Sequence, residues 1–245
     1  ISAIDTLFAM LEGKVQKGSI TNTKNLLAIY RGARFLTMWG DVNANSQSLP
    51  PYDFSMTYYN SPTHASDGVA WNGTTQYATI NVKPDTFNVS GTTLEYYSQT
   101  NVYSNSQTDM GIANSAATQL YGLNVGYSGV NRTQQYSSSP VVSAAATFGS
   151  GMFISNASVT LGTLTLFGRD NSLASATLSG SPFNIAGYDK LAVGCLYFDG
   201  TGNILYSTHK MAYCAIADGF DNNTDAIQYS KIINYFMTKL GINAY

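Results

Sequence analysis

Charge is what this sequence has least of. Asp, Glu, Lys and Arg make up 11% of its 245 residues, where about a quarter is usual for a soluble chain. Between Asp109 and Asp170 the only charged residues are Arg132 and Arg169. The net charge is −2 and there is no basic run, so nucleic-acid binding has no electrostatic footprint. No stretch reaches the roughly 18 consecutive apolar residues of a membrane span. The uncharged segment 133–168 is broken throughout by Ser, Gly, Thr and Asn.

Chemistry-bearing residues are scarce as well. The two glutamates are Glu12 and Glu95, and the two histidines are His64 and His209. A retaining glycanase needs two carboxylates about 5–5.5 Å apart, placed on one strand at alternate positions. Glu95 has no acidic residue within two positions, so that pattern is missing. No Gly-x-Ser-x-Gly elbow frames a serine, and both histidines read as surface or packed residues. Two cysteines and two histidines offer no paired zinc spacing. Cys195 and Cys214 sit in apolar, strand-like stretches and are expected as buried thiols, although adjacent strands would permit a disulfide. No catalytic residue, metal or cofactor is therefore expected.

Hydrophobic residues make up 44% and aromatics 13%, which separates the chain from disordered sequences. Gly and Asn supply turns, and Tyr, Thr, Val and Leu supply strands. Short strands are expected at 54–58, 68–71, 76–82, 92–100, 109–113, 118–125, 141–147, 152–157, 163–168, 174–178, 190–198 and 204–217. The Asn72-Gly73 pair signals a hairpin, and Asp170-Asn171 a turn. In 92–100, Leu94, Tyr96 and Ser98 alternate with Thr93, Glu95 and Tyr97. Strands this short and closely spaced predict an all-β antiparallel β-sandwich or jelly roll.

Helices are expected only at the two ends. Ile4, Leu7, Phe8, Leu11 and Val15 follow helical spacing, and a second short helix is expected over 23–31. The polar stretch 40–52 is the expected boundary between a lead-in, 1–50, and the β body, 51–245. The chain starts at Ile1 without a basic n-region, so its start reads as an inner fragment or a processed end. At the other end Tyr229, Ile232, Ile233, Phe236 and Leu240 share one helical face and predict an amphipathic helix over 224–240. Asn223 or Thr224 suits its cap, Asp225 its positive end, and Gly241 its left-handed stop. The Asp- and Asn-rich run 218–223 has calcium-type oxygens, but a turn and cap explains it better.

Several segments carry a resemblance when taken in order. They are Gly68-Val69-Ala70-Trp71-Asn72-Gly73-Thr74-Thr75-Gln76-Tyr77-Ala78, Leu94-Glu95-Tyr96-Tyr97-Ser98-Gln99-Thr100-Asn101 and Asp109-Met110-Gly111. Later come Gly151-Met152-Phe153-Ile154-Ser155, the strand ending at Gly219, and the helical Ile233-Asn234-Tyr235-Phe236. The chain resembles the concanavalin A-like, laminin-G-like jelly-roll domains of bacteriophage virion proteins and bacterial surface proteins. This resemblance implies a non-enzymatic structural protein on a virion exterior, a homo-oligomer among other virion proteins, with attachment to host glycans as one task. Its alternative is a carbohydrate-binding module or adhesin, secreted or on a bacterial surface. A glycan hydrolase ranks last.

Aromatic side chains are the remaining candidates for ligand contact. Trp71, Tyr97, Tyr103 and Tyr127 are expected where a ring can face outward and stack on a sugar or anchor a partner. The competing role for each is packing over a sheet. The stretches 101–108 and 126–140 are long, polar and Tyr-containing, and are expected as the variable loops.

Overall fold

The computed structural model describes residues 48–49, 52–53, 56–65, 67–80, 91–103, 106–114, 120–135, 141–179, 191–198 and 201–242. The helices expected near the N-terminus and the expected lead-in boundary lie outside the described residues, apart from a small pair of strands, β1 (Ser48–Leu49) and β2 (Tyr52–Asp53).

Two sheets form an antiparallel β-sandwich. The first runs in the order β11 (Val142–Ala145), β10 (Val130–Gln134), β9 (Leu120–Tyr127), β8 (Met110–Ala113), β15 (Leu191–Val193), β6 (Tyr77–Ile80) and β3 (Met56–Tyr59). Beside β8, β16 (Leu196–Phe198) adds a parallel pairing and carries β17 (Gly202–Ile204). The second sheet runs β14 (Asn171–Thr177), β13 (Thr163–Gly168), β12 (Gly151–Ser158), β7 (Gly91–Ser98), β18 (Lys210–Asp218), β5 (Gly68–Ala70) and β4 (Thr63–Ala65). The helix α1 (Asn223–Lys239) follows β18.

Period-2 alternation explains how the layers assemble. Leu94 and Tyr96 of β7 point into the space between the sheets, with Phe153, Leu164 and Leu166 from the same sheet. Ile112, Tyr121, Leu123 and Val125 meet them from the first sheet. The odd positions of β7 face the other way, and α1 covers them. Tyr97, Met152, Ile154 and Phe167 of the second sheet pack there against Tyr229, Ile232, Ile233 and Phe236. The helix begins one residue before its expected start. Asn222 caps it by accepting from the Asp225 N–H at 2.8 Å, and donates back to the Asp225 carboxylate at 2.9 Å. These two bonds make Asn222 the cap in place of Asn223 or Thr224. Gly241 closes the end at φ +77°.

Glu95 lies fully buried beneath the helix. Its Oε2 accepts from the hydroxyls of Tyr213 (2.9 Å) and Tyr229 (3.0 Å), and its Oε1 from Thr93 Oγ1 (3.1 Å). Hydrogen-bond donors thus take the place of water around this carboxylate. Tyr97 Oη donates to Asn234 at 2.8 Å and Ser230 Oγ donates to Asp170 at 2.7 Å, pinning the helix to the sheet and to the β13–β14 turn.

Three local expectations are corrected. Asn72-Gly73 does not make a hairpin, because β5 belongs to the second sheet and β6 to the first. Asn72 Oδ1 instead accepts the N–H groups of Thr74, Thr75 and Gln76 at 2.9–3.0 Å, a side-chain turn that moves the chain between layers. The β13–β14 turn is Arg169-Asp170, one residue early, with φ of 47° and 66°. The stretch expected as a loop over 126–140 contains β10, reached from β9 through Ser128-Gly129 at φ 46° and 86°. Both turns have the paired left-handed residues that a two-residue hairpin of primed type requires. Cys195 and Cys214 are buried free thiols, and burial pushes the Cys195 pKa up.

Candidate functional site

The four aromatic candidates separate into two pairs. Trp71 is 5% exposed and its indole N–H donates to Tyr96 Oη at 3.2 Å inside the sandwich. Gly194 (φ +80°) backs its ring, where a Cβ would stand 2.8 Å from the indole. Tyr97 is fully buried under α1. Neither presents a face to a ligand. Trp71 turns inward at the crossing between sheets, and Tyr97 does point to the outer face of its strand, but the helix occupies that face. Tyr103, 41% exposed, and Tyr127, half-buried, remain available.

The structure brings the Tyr103 loop against the end of β9 and the turn that follows Tyr127. Tyr103 lies on the loop after β7, and its carbonyl accepts the Gly129 N–H at 2.9 Å. Ser106 Oγ and Ser128 Oγ are 3.0 Å apart. Gly126 has φ +68°, and any Cβ there would run into the Tyr103 backbone, so glycine is required for both conformation and contact.

His209 holds this loop from inside. Its Nδ1 is 2.8 Å from Asp109 Oδ1 and its Nε2 is 2.8 Å from the Val102 carbonyl. The Gln107 amide nitrogen also lies 3.1 Å from Nδ1 and 2.9 Å from Nε2, so the ring is enclosed by polar partners. Burial opposes a charge on the ring, but the Asp109 carboxylate and the two hydrogen bonds, to Asp109 and to the Val102 carbonyl, outweigh it, and the His209 pKa is raised. Ser207 Oγ donates to the same Asp109 oxygen at 2.7 Å. The three residues are of hydrolase type, yet the serine and the histidine both address the aspartate. Neither histidine nitrogen faces the serine oxygen as a base would, so this is a clasp that positions the loop.

The outer face of the first sheet carries the pocket. On β9, Leu120, Gly122 and Asn124 alternate with the core residues Tyr121 and Leu123. On β10, Arg132 and Gln134 alternate with buried Asn131 and Thr133, and Arg132 pairs with Asn124 and Gln134 with Gly122. Leu120, Asn124, Arg132, Thr133, Gln134 and Val141 line a pocket of about 180 Å³. Gly122, between Leu120 and Asn124 on the same face of β9, adds no side chain there, and a Cβ would meet nothing nearer than 3.5 Å. The Arg132 guanidinium lies over the Tyr127 ring, 3.5 Å from its centroid. The pocket thus combines one cation, two amides and apolar walls, beside an aromatic ring and the Tyr103 loop.

Arg132, Asn124 and Gln134 were not singled out from sequence as site residues. The available signal was the isolation of Arg132 within a nearly uncharged stretch. Glu95, the one carboxylate weighed for glycan cleavage, sits on the opposite sheet beneath α1, enclosed by hydroxyl groups. Among the described residues, no group of three or more His, Cys, Asp or Glu gathers to hold a metal.

The architecture defines the class of molecule: an antiparallel β-sandwich closed by one C-terminal helix. No family model matches the sequence, and no curated protein matches it. Solved structures do share the fold. The fourth domain of AbnA, an extracellular arabinanase from Geobacillus stearothermophilus in complex with arabinotriose, matches with a TM-score of 0.53 and 13% identity, over 79% of this chain and 96% of that one. A variant of the NanB sialidase from Streptococcus pneumoniae matches with a TM-score of 0.51 and 16% identity over 66% of this chain. This chain spans 27% of that sialidase, so the likeness is to one part of it. At these identities the likeness is one of fold.

Proposed function

We propose that this protein is a carbohydrate-binding module whose ligand sits on the outer face of the first sheet. The observation that carries this reading is the Arg132 pocket. Its amides and guanidinium suit hydroxyl-rich ligands, and its apolar walls and the neighbouring tyrosines suit the C–H face of a sugar ring. The fold adds support by analogy, since the AbnA domain of the same architecture is seen with arabinotriose. Of the two settings implied by the sequence resemblance, these observations favour the bacterial surface or secreted one. The virion setting has the sequence resemblance alone behind it. A binding role without catalysis also fits Glu95, which has no path to a bound sugar beneath α1.

The test is a glycan array followed by calorimetry with soluble oligosaccharides, arabino-oligosaccharides included. Selective binding is expected, weakened by Tyr127→Ala and by Arg132→Gln. A folded protein that binds no glycan on a broad array would sink the proposal.

A further inference from the structure

We infer that the Arg132 pocket selects a sugar bearing a carboxylate, a ligand class that rests on the carbohydrate-binding reading above. The argument begins with the two arginines of the nearly uncharged stretch, which are used in different ways. Arg169 also lies over an aromatic ring, with its guanidinium 4.3 Å from the Phe148 centroid. Its N–H edge is committed: Nε donates to the Ser150 carbonyl at 2.9 Å and Nη2 to Ser150 Oγ at 2.8 Å. Arg132 has only its face occupied, by Tyr127. Among the described residues its N–H groups have no hydrogen-bond or ion-pair partner, and no acidic side chain lines the pocket.

A guanidinium held flat on a ring has lost much of its rotational freedom while keeping its donor edge. That edge is a planar fork matching the two oxygens of a carboxylate, and charge-assisted bonds of this kind are about twice as strong as neutral ones. Sugar hydroxyls would engage the same fork without the charge. The remaining polar groups suit the rest of a sugar ring. Asn124 Nδ2 is committed to the Gln107 carbonyl and Thr108 Oγ1, at 2.9 and 2.6 Å, which turns its amide oxygen into an acceptor for a ligand hydroxyl. The Gln134 amide has no partner among the described residues and supplies both a donor and an acceptor. A pocket of about 180 Å³ is smaller than drug-sized sites, which run from about 300 Å³. It is therefore sized for one acidic unit, with any further units of the glycan lying outside it.

The experiment uses matched ligands that differ only in the charge: uronic-acid oligomers and their methyl esters, and sialylated glycans and their methyl esters. Titration of the purified protein is expected to give about 10- to 100-fold tighter binding of the acid, the range for losing a hydrogen bond to a charged group. The gap should narrow as salt is raised, collapse in Arg132→Gln, and be only partly kept in Arg132→Lys, which retains the charge without the fork. Equal binding of acid and ester, or a gap that survives Arg132→Gln, overturns the inference while leaving the carbohydrate-binding reading intact. Binding of neutral glycans only does the same. Absence of binding to every glycan by the folded protein overturns both.

Discussion

The two sheets share one core and have opposite outer faces. The outer face of the second sheet is apolar and aromatic, and α1 is packed on it with Tyr97, Met152, Ile154 and Phe167 beneath. The outer face of the first sheet, along β9 and β10, carries Gly122, Asn124, Arg132 and Gln134, and opens into a pocket. Both faces have polar groups, but they are used differently. Under the helix, Glu95 is enclosed by hydroxyl donors from Thr93, Tyr213 and Tyr229. In the pocket, Arg132 keeps a donor edge to offer. One face uses its polar groups to fix the fold, and the other leaves the Arg132 and Gln134 side chains without a hydrogen-bond partner among the described residues.

If that contrast is right, substitutions on the two faces should differ in kind, and the stability effects should rank as follows. Phe236→Ala removes a large ring from under the helix and should cost about 3–5 kcal/mol of unfolding free energy in urea titration. A loss below about 1 kcal/mol would mean that α1 is not part of the cooperative unit. Glu95→Gln replaces a carboxyl oxygen of the hydroxyl cluster with an amide N–H₂ that cannot accept from those hydroxyls, and should cost about 1–3 kcal/mol. If the folded variant lost glycan binding selectively, the division between the faces would fail.

His209 gives a smaller effect that depends on pH. Its folded pKa is raised above the ordinary value near 6.5, so the folded state holds the proton more tightly than the unfolded chain does. Its stabilising contribution is therefore complete below about pH 6.5 and is lost as pH rises through the folded value. Thermal melts across that window should show declining stability in the parent and a flatter profile in His209→Gln. A decline of equal slope in the variant would assign the effect elsewhere. Arg132→Gln should be the mildest change, up to about 1 kcal/mol, because the side chain is half-exposed and what it loses within the fold is the stack on Tyr127. A loss of several kcal/mol would make Arg132 a structural residue.

The contrast between the faces also explains what was legible in the sequence. Alternation in β7 sorted Leu94 and Tyr96 from Glu95 and Tyr97 correctly, and helical spacing placed α1 within a residue. Those signals are local. What covers the outward residues is not local, so Tyr97 was expected at a surface that α1 in fact occupies. Trp71 was misplaced for a related reason: Asn72-Gly73 carries a hairpin signal, but here the asparagine side chain makes the turn and sends the chain into the other sheet. Of the site, Tyr103 and Tyr127 were named, while Arg132, Asn124 and Gln134 were not. The strand of Arg132 and Gln134, Val130–Gln134, is almost wholly polar and reads as loop until its register against Asn124 and Gly122 of β9 is known.

The position of β7 sets an order of events. This strand lies between β12 and β18, although β18 begins at Lys210, more than a hundred residues after β7 ends at Ser98. Pairings that distant in sequence are slow to form, because a long loop must close before any contact is gained. Until β18 arrives, one edge of β7 has unpaired backbone groups, and the face that α1 will cover is bare. The helix follows β18 in the chain, so completion of this layer must wait until both have been made. A chain interrupted before Lys210 would expose an aromatic, edge-unpaired sheet, the kind of intermediate that aggregates.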